Sequence, residues 1–285
     1  MSEPLAQAEE ILRAGDPQGA LAHLTTAVKA KPADARLRIF MAQLLCVLGQ
    51  WSRAHTQLNV VADLMPSAGP MREMVGHALR CELLRAEVFA GKRAPMVFGH
   101  PDAWLAKLIE SLLQSGQGNQ ALADQLAAQA FDEAPAVPGA LDGEAFEWIA
   151  DADSRLGPVL EAFVNGKYYW IPFSRLSRIS LEVPQDLRDM VWMPAYLTFA
   201  NGGEVVAMIP SRYPGTQEAS DAALLLSRKT EWLQLSEERW RGLGQRMFST
   251  NLGDHDLLST RVIELQPPPS DDEGDEPAAT EGGHG

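Results

Sequence analysis

Two short runs hold the residues best able to do chemistry. Asp151-Ala-Asp153 spaces two carboxylates so that, on a strand, both point to one face. Such a pair could share a metal ion or divide acid and base roles in a metal-assisted hydrolase. The simpler reading is a polar turn after Phe146-Glu-Trp-Ile149, with each Asp bonding the local backbone. Asp254-His255-Asp256 places an imidazole between two acids, the pattern of a base with a raised pKa. Here the simpler reading is a solvated loop after Gly253.

The remaining chemistry is sparse. The six histidines (His23, His55, His77, His100, His255, His284) show no HExxH or HxH spacing, and Cys46 and Cys81 form no CxxC. GxSxG, Walker A and GxGxxG motifs are absent from the sequence. Asn201-Gly202-Gly203 fits a hairpin turn better than a phosphate loop. No catalytic residue, cofactor or resident metal is expected, and the chain is read as a non-enzyme.

Charge points the same way. The 285 residues carry 24 Lys and Arg against 38 Asp and Glu, a formal net charge of −14. Nucleic-acid affinity rests on cations neutralising phosphates, so no nucleic-acid partner is expected. Arg175, Arg178, Arg188 and Arg212 are concentrated in this acidic chain and form a secondary candidate surface for an acidic protein segment. The alternative is solvent-facing arginines paired with Glu182, Asp186 and Asp189. The most apolar stretch, residues 39–48, is half of the roughly 20 residues a membrane span needs. The start, MSEPLAQAEEIL, lacks the basic and apolar segments of a secretory signal. With two free thiols, a cytoplasmic location is expected.

These residues must be positioned by two different kinds of structure. The first 135 residues favour helix, being rich in Ala, Leu and Gln, and they repeat. Gly15, Ala20, Leu24 and Pro32 recur as Gly49, Ala54, Leu58 and Pro66, an offset of 34 residues, the tetratricopeptide length. Glycine lets helix A turn sharply into helix B, a small Ala lets the backbones approach, and proline ends helix B. Met41, Ala42 and Leu45 are the expected core face of the second helix A, and Val75, Gly76 and Leu79 the same face in the third. The third unit then departs: no glycine stands at 83, and its helix is expected to run on to Phe89. A further helical pair, 103–113 and 119–131, flanks Gly116-Gln-Gly118.

Helix A of such repeats lines a concave groove. In that phase Arg36, Ile39, Gln43 and Cys46, then Glu73, His77 and Arg80, face the groove. This mix of apolar strip and charge suits an amphipathic helix. The competing expectation is a groove filled by later parts of the same chain.

Residues 140–265 are rich in aromatic and β-branched types and read as strands. Asn165-Gly166 between 159–164 and 167–171 predicts a hairpin. A second hairpin is expected at 195–199 and 204–209, single strands at 179–183 and 259–265, a tight turn at Tyr213-Pro214-Gly215 and a short helix at 220–227. The fold class is therefore α+β. A TPR-like α-helical solenoid (1–135) precedes a mostly antiparallel β-rich domain (140–265), with Glu133-Ala-Pro-Ala-Val-Pro-Gly139 as the boundary. Residues 266–285 hold six acids, no Lys or Arg, and almost no apolar content, so a disordered tail is expected.

Six ordered motifs then carry a resemblance. They are Ala150-Asp-Ala-Asp-Ser-Arg-Leu-Gly-Pro158, Asn165-Gly-Lys-Tyr-Tyr-Trp-Ile-Pro-Phe173, Asp186-Leu-Arg-Asp189, Val191-Trp-Met-Pro-Ala195, Ala200-Asn-Gly-Gly-Glu204 and Ile209-Pro-Ser-Arg-Tyr-Pro-Gly215. Together they resemble the ImpE/TagJ family of accessory proteins of the bacterial type VI secretion system, over residues 3–265. The acidic tail has no counterpart in that resemblance. The resemblance implies a non-enzymatic cytoplasmic adaptor that binds the N-terminal helix of the small contractile-sheath subunit. It also implies an indirect link, through sheath disassembly, to the system's AAA+ ATPase.

Overall fold

The structure, a computed structural model, describes residues 3–267. The tail expected from Gln266 lies, from residue 268 on, outside the described residues.

Four helices form two antiparallel pairs: α1 (Glu3–Arg13) with α2 (Pro17–Ala30), and α3 (Ala35–Val47) with α4 (Trp51–Leu64). Asp16 and Asp34 cap α2 and α3 by accepting hydrogen bonds from backbone N–H groups of their first turns. Gly15 and Gly49 take φ of +89° and +66°, the left-handed conformation that ends helix A and admits helix B. Ala8, Ala20, Leu24, Ala42, Ala54 and Leu58 are buried, as the 34-residue phase requires.

The third unit does break the pattern. α5 (Gly69–Phe89) runs 21 residues where α1–α4 run 11 to 14, and it continues past the point where helix A should turn. Its chain then adds β1 (Met96–Val97) parallel to a strand of the main sheet. The pair α6 (Ala103–Gly116) and α7 (Gln120–Glu133) completes the helical part.

From Gly139 the chain is mostly strands: β2 (Gly139–Leu141), β3 (Glu144–Phe146), β4 (Ile149–Asp151), β5 (Val159–Val164), β6 (Lys167–Pro172), β7 (Leu176–Leu181), β8 (Trp192–Phe199) and β9 (Glu204–Pro210). A four-residue helix, α8 (Ala222–Leu225), precedes β10 (Thr230–Gln234), β11 (Trp240–Gly244), β12 (Met247–Thr250), β13 (Gly253–Asp256) and β14 (Val262–Leu265). Nine strands form one sheet in the order β1-β6-β5-β9-β8-β7-β14-β2-β3. Among the described strands of this sheet, only β1 is parallel to its neighbour. A smaller sheet has the order β13-β12-β4, and β10 pairs with β11. The expected Asn165-Gly166 turn joins β5 to β6, with φ of +49° and +73° as a type I′ turn needs.

Two apolar clusters hold the layers together. One, including Val159, Phe163, Tyr168, Trp170 and Trp192, joins the helices to one face of the large sheet. The other, including Leu160, Ala162, Ile171, Met193, Ala195 and Phe248, joins the opposite face to the small sheet. Period-2 alternation along β5 explains the division: 159, 161 and 163 face the helices, and 160, 162 and 164 face the small sheet. The first cluster runs continuously from Ala8 to Leu226, so the helical repeats have no core separate from that of the sheet. Among the described residues, no helix is long and apolar enough to cross a membrane.

The two turn glycines differ in surroundings. A Cβ at Gly15 would meet nothing within 4 Å, whereas one at Gly49 would stand 2.6 Å from Cβ of Gln217. Gly15→Ala should cost about 1 kcal/mol, the left-handed penalty alone. Gly49→Ala should cost roughly 2–4 kcal/mol, because overpacking against Gln217 adds to that penalty. Denaturant unfolding of the two variants checks the order.

Candidate functional site

β5 places a carboxylate where an apolar residue would be expected. Glu161 faces the helices with none of its surface exposed. A buried carboxylate is costly unless it is fully paired. From α5, Arg85 donates through Nε to Oε1 at 2.8 Å and through Nη2 to Oε2 at 3.0 Å. From the turn before β12, Arg246 pairs with the other side of the same carboxylate. The Tyr168 hydroxyl donates to Oε1 at 2.5 Å, and Trp170 Nε1 donates to that hydroxyl at 2.6 Å. Burial alone would push the Glu161 carboxyl up, but Arg85, Arg246 and the Tyr168 hydrogen bond outweigh it and hold it down at about 2.

The network spreads to the aspartates read above as possible catalysts. Asp151 pairs with Arg246 and accepts the Asp153 backbone N–H at 2.9 Å. Asp153 accepts three hydrogen bonds from its turn partner Arg155, from the backbone N–H and Nε at 2.9 Å and from Nη2 at 2.5 Å, and a fourth from the Gly242 N–H at 3.0 Å. Both carboxylates are buried, and their lone pairs are committed to guanidinium and backbone. β12 stands between Asp151 and His255, each paired in register with Phe248. His255 meets Thr250 Oγ1 at 3.2 Å, while Asp254 and Asp256 accept from Ser249 and the Ser259 backbone. Asp151 and Asp153 are thus held by guanidinium and backbone donors of their own chain, and the structure does not bring them together with His255. Among the described residues, no cluster of three metal-ligating side chains occurs.

Asp151 is the member of the network whose charge is least secure. Burial pushes its carboxyl up to about 7, with Asp153 and Glu161 adding to the effect against the pull of Arg246. Between about pH 4 and 7 folded Asp151 holds a proton that the unfolded chain has released. Its contribution to stability therefore declines as pH rises through that window.

The arginine surface needs correction. Arg212 is only 4% exposed and donates to the carbonyls of Val47 and Leu225 at 2.8 and 2.7 Å. Arg175 donates to the Phe98 carbonyl at 2.9 Å and pins the loop around β1. Arg188 pairs with Asp186 and Asp189. Of the four, only Arg178 is exposed, and it pairs with Glu264 at 2.5 Å. All four arginines are paired within their own chain.

The concave groove is also partly filled. The 3-10 turn Leu187–Met190 packs on α3, and Ile39, Gln43 and Cys46 line a crevice of about 10 Å³ closed by Met71, Val75 and Arg188. Cys46 is 1% exposed, and burial pushes its thiol up to about 12. It cannot face a partner. Arg36 and Glu73 are exposed, and the half-buried His77 packs on the Gly166 turn. Arg80 lies apart from the filled crevice, in an open cleft of about 590 Å³ between α4 and α5.

Sequence reasoning missed Glu161, Arg85 and Arg246. A glutamate inside the otherwise apolar run Val-Leu-Glu-Ala-Phe-Val was the available signal.

Comparison with known proteins places this architecture. The type VI secretion system accessory component TagJ of Pseudomonas aeruginosa is 49% identical over 260 residues, 91% of each chain. The family described as ImpE protein matches residues 143–264. The chain belongs to the ImpE family. A tetratricopeptide repeat model matches residues 12–70 of this ImpE-family chain. A crystal structure of a Vibrio parahaemolyticus protein superposes with a TM-score of 0.83 at 25% identity, covering 91% of this chain and 97% of that one. The ImpE match spans β5, most of the network and every strand from β4 to β13.

Glu161→Ala should destabilise the protein by about 3–5 kcal/mol, since it strands two buried guanidiniums. In the parent chain the depressed carboxyl contributes fully above about pH 4.5, and that contribution is lost as pH falls toward 2. Acid unfolding followed by near-UV circular dichroism should show this loss in the parent chain and a flatter acid limb in the variant.

Proposed function

We propose that this chain is a non-enzymatic accessory protein of the type VI secretion system. It acts as an adaptor that binds the N-terminal helix of the small contractile-sheath subunit in the cytoplasm. Through that subunit it is linked to sheath disassembly by the AAA+ ATPase. The observation that carries the reading is kinship over nine-tenths of the chain with a relative named as an accessory component of that system.

The architecture supports it. Tetratricopeptide-type helices present grooves suited to an amphipathic helix. The carboxylates that might have supported hydrolysis are consumed by arginines within the fold. Free Cys46 and Cys81 are both buried, which suits a reducing compartment.

A fluorescein-labelled peptide of the small sheath subunit's N-terminal helix should give a saturable rise in anisotropy when titrated with the full chain. The same peptide with its apolar helix face replaced by Ser should give none. Absence of saturable binding by the unmodified peptide would remove the adaptor reading.

A further inference from the structure

In a stacked helical array, helix B of each unit packs on its own helix A and on the preceding unit. The third unit here lacks its helix B, because α5 runs straight on to Phe89 and its C-terminal half is used elsewhere. Glu82 accepts from Trp192 Nε1 at 2.9 Å, and Arg85 pairs with Glu161. The chain after α5 joins the sheet through β1 instead of folding back.

The seat of that helix is left open. All lining residues of the 590 Å³ cleft come from 49–55 and 76–83, the turn before α4, the start of α4 and the middle of α5. Leu79 and Trp51 form apolar walls, and Leu83 stands at the rim with 60% of its surface exposed. Gly76, Leu79, Arg80 and Leu83 recur at helical spacing and so form one continuous face of α5. Gly76 lies at the floor, where a Cβ would just touch the His55 ring and the Arg80 guanidinium at 3.9 Å.

The charge of the cleft selects an occupant. Arg53, His55 and Arg80 line it, and among the described residues no Asp or Glu does. Neither Arg53 nor Arg80 pairs with a carboxylate among the described residues, in a chain whose net charge is −14. We infer that the cleft between α4 and α5 receives an amphipathic helix from a partner protein, whose apolar side meets Trp51, Leu79 and Leu83 and whose carboxylates meet Arg53 and Arg80. The partner helix completes the third repeat in trans. The inference rests on the adaptor reading above and moves its binding surface from the partly filled concave groove to the neighbouring face of α5.

The labelled sheath-subunit peptide is the probe. In the full chain, Arg53→Glu with Arg80→Glu should weaken binding roughly 10-fold or more, and added salt should weaken parent binding in the same direction. Arg36→Glu, at the start of α3, should leave binding unchanged. Both arginines are exposed, so the thermal midpoint of the double variant should match that of the parent. A photo-crosslinking residue at Leu83 should capture the peptide, and one at Leu122, exposed on α7, should not. Parent binding that survives the double reversal, responds to Arg36→Glu, or crosslinks only between two copies of this chain overturns the cleft while leaving the adaptor reading intact. Failure of the parent to bind removes both.

Discussion

The fold turns on the burial of one carboxylate. Glu161 cannot be placed between helices and sheet unless guanidiniums reach it from both directions, and one comes from each. Arg85 belongs to the helical part and Arg246 to the segment that enters the small sheet, so three layers are tied at a single side chain. Apolar surfaces tolerate small slides. A buried charge does not, because any displacement strands it without a partner. The surrounding pairs, Asp151 with Arg246 and Asp153 with Arg155, extend the same demand to the turn that links β4 to β5.

This requirement explains the irregular third repeat. A helix that supplies Glu82 and Arg85 to the sheet cannot end at residue 83 as the 34-residue pattern prescribes. It must continue for two further turns, and Phe89 then supports the guanidiniums of Arg85 and Arg155 with its ring. The repeat array is thus terminated by docking on the sheet, which takes the place of a polar capping helix. The same commitment fills the concave side of α3, where the turn containing Arg188 settles.

Local signals were legible in the sequence and long-range ones were not. Gly15, Gly49 and the Ala20/Ala54 pair fixed the repeat phase because they answer to neighbours a few residues away. Asn165-Gly166 announced its hairpin for the same reason. β1 and the pairs β10–β11 and β12–β13 escaped notice, since two- to five-residue strands with Gly, Arg and Asp carry little periodicity. The arginines misled for a physical reason: guanidinium is equally at home on a surface and in a buried fork, and only tertiary contacts decide. Arg212 was thus read as outward-facing, although it ties the strand part to the helical part through the Val47 carbonyl, and Arg188 pairs within its own turn. Several motif residues that carried the family resemblance, among them Arg155, Tyr168, Trp170 and Trp192, turn out to build the interface between helices and sheet, and Asp151 and Asp153 hold the strand-rich part together beside it. They marked the fold more than a binding surface.

The two-residue strand β1 has an effect out of proportion to its length. Without it, β6 would present a six-residue row of unpaired backbone groups beside Tyr169 and Trp170, a ready template for a second molecule. β1 covers Tyr169 and Trp170 in register, Phe98 stacks on Phe199 at 4.6 Å, and Arg175 holds the loop closed. At the far end the sheet finishes in β3, only three residues long, with Glu144 exposed. Both margins of the nine-stranded sheet are therefore blunted against edge-to-edge pairing.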